Sequence, residues 1–156
     1  MALAAHRFVR ATVDVDILVS PEGLSAIHTH LDGRGFAPPF AGSRNLKDVE
    51  TGVRIKFIVE GQFPGDGKPK PVAFPNPLAV SEVINGIRYI RLPALIEIKL
   101  ASGMTNPGRL RDLADVQELI RVLRLPPAFA KQLDPFVREK FGELWSAVEN
   151  DPAVDQ

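Results

Sequence analysis

Arg10-Ala-Thr-Val-Asp14-Val-Asp16-Ile-Leu-Val19 is the stretch on which the fold turns. Apolar and polar residues alternate along it, with Val13, Val15 and Ile17 on one face and Asp14 and Asp16 on the other. That alternation is the signature of a strand, and it ends in an apolar run that continues into a core. Aspartate is disfavoured in strands, and two on one face repel each other. The i to i+2 spacing sets the two carboxylates roughly 6–7 Å apart. A hard divalent cation such as Mg²⁺ would offset their repulsion, because it takes carboxylate oxygens. A solvent-exposed edge strand with two hydrated aspartates fits the same pattern, and the pattern alone leaves both readings open.

Composition bounds what surrounds this strand. A chain of 156 residues is the size of one domain, able to bury about two-thirds of its unfolded surface. Lysine plus arginine and aspartate plus glutamate both number 19, so no global field draws in nucleic acid or a membrane, although local basic patches remain open. Without cysteine there is no disulfide framework, thiol nucleophile or thiolate metal site. No apolar run approaches the ~20 residues that span a bilayer. Met1-Ala-Leu-Ala-Ala-His6 is too short, and too uncharged at its start, for a signal peptide. The expectation is a soluble cytoplasmic domain.

Taken in order, the chain reads as mixed α/β. Ala2 to Arg7 suggests a short alanine-rich helix that starts abruptly, without a cap or a preceding turn. Ser20-Pro21-Glu22-Gly23 places an N-cap serine before a proline at the first helical position. Leu24, Ile27, His28 and Leu31 then give helical spacing, and Gly33 with Gly35 is expected to stop the helix. Phe36 to Arg44 reads as a loop. Asn45 to Val49 and Val53 to Val59 flank Glu50-Thr51-Gly52 as a hairpin, with Ile55, Phe57 and Val59 pointing one way and Arg54, Lys56 and Ile58 the other. The run from Gly61 to Pro77 carries so much proline and glycine that helix and central strand are excluded. Its glycines and lysines invite a phosphate-loop reading. It lacks the Gly-Lys-Ser/Thr ending, however, so a rigid surface cover is favoured.

Asn85-Gly86 signals a turn before a short strand, Ile87 to Ile90. Pro93 opens a helix through Ser102 that Gly103 is expected to close, and Lys99 sits within its apolar stretch. A lysine there either snorkels to the surface or is held pointing into a site. Thr105-Asn106-Pro107 starts a second helix to about Arg124. Leu110, Leu113, Ala114, Gln117, Ile120 and Leu123 run along one side, and Arg109, Asp112 and Asp115 form a neighbouring charged stripe, most simply a surface salt-bridge ladder. Asp134-Pro135 caps a last amphipathic helix with Phe136, Val137, Phe141, Leu144 and Trp145 as its apolar set. His6, His28 and His30 have no helical metal spacing, and neither Gly-x-Ser-x-Gly nor Gly-x-Gly-x-x-Gly occurs.

Together these pieces resemble the small bacterial nucleotidyltransferase-fold proteins of the abortive-infection toxin-like and minimal nucleotidyltransferase group. The matching parts are Leu3 to His6 into Arg10-Ala-Thr12-Val-Asp14-Val-Asp16, then Gly52 to Ile58, Phe63 to Val72, Leu92 to Ser102 and Arg109-Leu-Arg-Asp112-Leu-Ala-Asp115-Val. They span most of residues 1–125, and the order of the three charged motifs is more specific than any one of them. The resemblance implies a polymerase-β-like fold, a small mixed sheet flanked by helices over 1–125, with a helical extension over 126–156 packed on that core. It implies that Asp14 and Asp16 bind Mg²⁺ (or Mn²⁺) carrying a nucleoside triphosphate. By the same resemblance Lys99 faces the triphosphate, while Arg109, Asp112 and Asp115 orient that lysine and close the site. Arg10 and Thr12 match positions that brace the metal strand or touch phosphate. The implied reaction moves a nucleoside monophosphate to a hydroxyl of RNA, protein or a small molecule. The implied setting is toxin-like, with an antitoxin protein as a partner and no membrane.

Two departures matter. The family's Gly-Gly or Gly-Ser turn before the first helix has no counterpart in this sequence, and the family's third carboxylate position is occupied by Lys56. Glu60 faces the same side but lies about 13 Å further along the strand; Asp48 or Glu50 would approach only in another hairpin register. A lysine facing two aspartates can neutralise them without metal. The alternative is therefore a degenerate or truncated member that binds a nucleotide or a partner without efficient catalysis. A structural α/β domain whose charges are all surface ladders is the third reading.

Overall fold

The structure, a computed structural model, describes residues 14–151. The expected helix at Ala2 to Arg7, with Arg10 and Thr12, lies outside the described residues. Within them the chain is mixed α/β, built around two apolar clusters: one under a four-stranded sheet, the other among three helices.

The sheet comes first. Strand β1 (Asp14–Val19) runs into helix α1 (Pro21–Leu31). Ser20 caps that helix as expected, its hydroxyl oxygen accepting a hydrogen bond from the Gly23 amide at 3.0 Å. The chain then forms β2 (Phe36–Ala37), β3 (Leu46–Asp48) and β4 (Arg54–Val59), in the spatial order β1-β4-β3-β2. β3 and β4 make the expected antiparallel hairpin. β2 corrects the expectation of a bare loop from Phe36: Phe36 and Ala37 pair with Asp48 and Lys47, because an apolar pair beside an open strand edge satisfies its backbone there despite the prolines that follow. β1 lies parallel to β4, which requires a crossover, and α1 supplies it. Leu24, Ile27 and Leu31 of α1 cover Val19, Leu46, Phe57 and Val59.

The loop from Gly61 joins this sheet to the helices. It starts with reciprocal backbone bonds of Gly61 and Gln62 to Phe74. Gly65 then passes so close to the first core helix that a Cβ would lie 2.1 Å from Thr105 Oγ1, and with φ at +76° only glycine fits. Lys70 is tucked in, donating to the Pro64 carbonyl and to Asp66, both at 2.6 Å, and Val72 enters the helical core. This agrees with a rigid cover. Beyond it, β5 (Ser81–Ile84) and β6 (Ile87–Ile90) form a separate antiparallel ribbon. The sequence reading missed β5, yet Asn85 (φ 52°) and Gly86 (φ 78°) form the two-residue left-handed turn that makes Asn-Gly a hairpin signal with strands on both sides.

The helical cluster contains α2 (Leu92–Thr105), α3 (Leu110–Leu123) and α4 (Pro135–Glu149), with short 3₁₀ segments at Pro107–Arg109 and Pro127–Gln132 that sequence periodicity did not reveal. Ile96, Leu100, Val116, Leu119, Val137 and Phe141 are its fully buried centre. Asp134 caps α4 as expected, accepting from the Phe136 amide at 2.9 Å. Two expectations about α2 and α3 are corrected. Gly103 does not close α2; the helix runs on to Thr105, and a Cβ at Gly103 would lie 2.5 Å from Leu113 Cγ, so the glycine is there for close helix packing. The inward face of α3 is Asp112, Asp115, Val116, Leu119 and Ile120, whereas Leu110 is 64% exposed. Of the stripe expected as a surface ladder, Asp112 and Asp115 face the interior, while Arg109 stays exposed.

Candidate functional site

Two charged groups carry the residues singled out in the sequence. The first lies between α2 and α3. Lys99, with its side chain 15% exposed, donates to Asp112 Oδ1 at 3.1 Å and to Asp115 Oδ2 at 2.8 Å. The other Asp112 oxygen accepts from Ser102 Oγ at 2.7 Å and from Arg109 Nε at 2.8 Å. The local reason is helix periodicity: Lys99 and Ser102 stand at i and i+3 on α2, opposite Asp112 and Asp115 at i and i+3 on α3. Asp112 and Asp115 are only 7% and 5% exposed. Burial pushes the Asp112 carboxyl upward, but the Lys99 charge, the Ser102 hydroxyl and Arg109 outweigh it and hold the group below the usual carboxylate range. Among the described residues, two cations and two anions meet in this group. Ser102 was missed by sequence reasoning; its position one turn beyond Lys99 is the signal that could have found it.

The second group lies on the sheet. The parallel register sets Asp14 beside Arg54 and Asp16 beside Lys56, all on the face away from α1. Arg54 Nε donates to Asp14 Oδ1 at 2.7 Å, and Lys56 Nζ donates to Asp14 Oδ2 at 2.6 Å. Lys56, bonded directly to the carboxylate, and Arg54 beside it hold Asp14 below the usual carboxylate range. Asp16 is exposed on the same face. Arg54 was not among the expected site residues, although strand alternation places it with Lys56.

The structure thus brings Lys99, Arg109, Asp112 and Asp115 together, and joins Asp14 to Lys56 and Arg54. It does not bond Lys99 to Asp14 or Asp16: the hydrogen bonds of Lys99 run to α3. Glu60 accepts from Asn76, and Asp48 from the amides of Glu50 and Thr51 in the hairpin turn, so neither stands in for the third carboxylate. A divalent ion at Asp14 would have to displace Lys56 or Arg54 from its carboxylate. Each oxygen of Asp14 already has a cationic donor, and among the described residues no three histidine or carboxylate side chains converge.

Two clefts open elsewhere. One of about 540 Å³ is lined by Arg44, Gln62, Phe63, Asp66 and Phe74, and one of about 430 Å³ by Arg121, Arg124, Trp145 and Glu149; Asp14, Asp16 and Lys99 line neither. No helix among the described residues is long and apolar enough to cross a membrane. Compared with protein-family models, with curated proteins and with solved structures, the chain finds no match.

Proposed function

We propose that this chain is a nucleotidyltransferase-fold protein of polymerase-β-like architecture that binds a nucleoside triphosphate without transferring it efficiently. The order of its charged motifs supports the nucleotide: an Asp-x-Asp strand, then a helix lysine, then an Arg-x-x-Asp-x-x-Asp helix. The observation that argues against efficient transfer is Lys56 Nζ at 2.6 Å from Asp14, with Arg54 on the other oxygen. Nucleotidyl transfer needs concentrated positive charge on the phosphates and a base or metal-bound oxygen at the acceptor hydroxyl. A carboxylate already neutralised by its own strand neighbour supplies neither. Incubation with labelled triphosphates, Mg²⁺ or Mn²⁺, and RNA, protein or small-molecule acceptors tests this. The expected result is retention of the triphosphate on equilibrium dialysis with no transferred label. Transfer that disappears in Asp14→Asn would overturn it.

A second reading, metal-dependent transfer by the same fold, is favoured by one observation: Lys99 is held in place between two buried carboxylates rather than left to solvent. Such a lysine is pre-organised, which is what a phosphate-facing cation needs. The toxin-like role and the antitoxin partner belong to this second reading, since they require turnover. The same labelling experiment decides between the two.

A further inference from the structure

The face of the four-stranded sheet turned away from α1 carries more positive charge than the Asp-x-Asp pattern suggests. In the β3–β4 pairing Lys47 stands directly opposite Arg54, so Lys47, Arg54 and Lys56 share this face with Asp14 and Asp16. Leu46 and Ile55, the adjacent register pair, turn to the α1 side, which fixes the direction of the other set. Arg54 and Lys56 keep 55% and 47% of their side chains exposed, and Lys47 is exposed as well. Arg54 and Lys56 are engaged by Asp14, while the Lys47 side chain makes no hydrogen bond or ion pair with any described residue. Among the described residues, three cations therefore face two anions across neighbouring strands, about 5 Å apart between strands and about 7 Å along one.

We propose that this sheet face takes the phosphates of a polyphosphate ligand directly on Lys47, Arg54 and Lys56, with no divalent ion between protein and phosphate. The inference rests on the reading of the chain as a nucleotide binder for its choice of ligand class. Lysine and arginine bond phosphate oxygens through charge-assisted hydrogen bonds, and long side chains rooted on adjacent strands converge on one anion. Asp14 is then a competitor of the ligand rather than its anchor: it holds the two cations apart from solvent anions until a stronger, multiply charged acceptor arrives. The sign of its contribution is the reverse of that in a metal-bridged site. There, removing Asp14 removes the metal and the ligand with it; here, removing it frees Arg54 and Lys56.

Isothermal titration calorimetry of the full chain with sodium tripolyphosphate, in EDTA and again with Mg²⁺, provides the test. Binding is expected in EDTA, weakening as salt rises. Asp14→Asn is expected to tighten it by about fivefold, and Lys47→Gln and Lys56→Gln each to weaken it by about fivefold, the scale of one charge-assisted bond. All three side chains stand on the sheet face turned away from α1, and thermal melts by circular dichroism confirm that each variant folds. No binding of tripolyphosphate, a requirement for Mg²⁺, or weaker binding by Asp14→Asn would overturn the proposal. Nucleoside triphosphate gripped no more tightly than tripolyphosphate, with the same variant pattern, upholds the phosphate face and removes the nucleotide reading. Nucleoside triphosphate bound only with Mg²⁺ and indifferent to Lys47→Gln does the opposite.

Discussion

Lys56 is the residue on which the proposed function turns, since its ammonium meets the Asp14 carboxylate. Its strand position follows from simple alternation, and its partner follows from the register that sets it beside Asp16 and within reach of Asp14. Lys56→Glu removes the neutralising ammonium and leaves three carboxylates on one face, so it is expected to bind Mn²⁺ more tightly than the unaltered chain, read by electron paramagnetic resonance of free Mn²⁺. An unchanged free-Mn²⁺ signal in that variant would show that geometry, not charge, keeps metal away. Lys99 poses the opposite case, a cation whose value is structural as well as electrostatic. Lys99→Ala removes the cation shared by two buried carboxylates, a loss of about 3 kcal/mol on denaturant unfolding. The pH dependence has a definite sign. Asp112 is held below its usual range when folded, so its contribution to stability is complete above about pH 4, the unfolded carboxylate value, and is lost as pH falls through the lower folded value. Acid unfolding of Asp112→Asn is therefore expected to show a shallower pH dependence below pH 4 than that of the unaltered chain.

At the scale of elements, the contact between α2 and α3 carries most of what sequence periodicity misassigned. Leu110 and Ala114 fit an apolar stripe on paper, but α3 turns Asp112 and Asp115 inward because α2 offers Lys99 and Ser102 there. A buried ion group and an apolar seam compete for the same helix face, and local hydrophobicity does not register the partner that makes burial of a carboxylate tolerable. Gly103 belongs to the same contact. It brings the two helices close enough for Leu113 to sit over the backbone. Gly103→Ala gains about 1 kcal/mol of helix propensity but overpacks a site with no room, at a cost of about 1–3 kcal/mol. The expected outcome is net destabilisation, seen as a lower urea midpoint with an unchanged slope. Capping was far more legible: Ser20 and Asp134 were readable from a polar residue followed by proline, because the cap is made within three residues of chain.

Across the whole molecule, an apolar cluster under the sheet and another among the helices are linked by a stapled loop, while β5 and β6 pair with each other and leave Val83 and Ile87 largely exposed. Amides of α2 and α3 are therefore expected to exchange with deuterium slowest and those of the ribbon among the fastest, a ranking that hydrogen-exchange mass spectrometry reads directly. The sequence by itself determined the elements whose causes are local. Alternation set β1 and β4, cap chemistry set the starts of α1 and α4, and proline and glycine density set the long loop. It also placed Asp14 and Asp16 on one face and Lys99 near Arg109, Asp112 and Asp115 in order along the chain. Only the tertiary structure decided which charges meet. The parallel pairing of β1 with β4 hands Asp14 to Lys56 and Arg54, and the α2–α3 packing hands Lys99 to Asp112 and Asp115. The physical reason is that an ion pair forms between side chains brought within about 3 Å by packing, across 40 or 42 residues of chain in the case of Asp14, and no local pattern encodes that proximity.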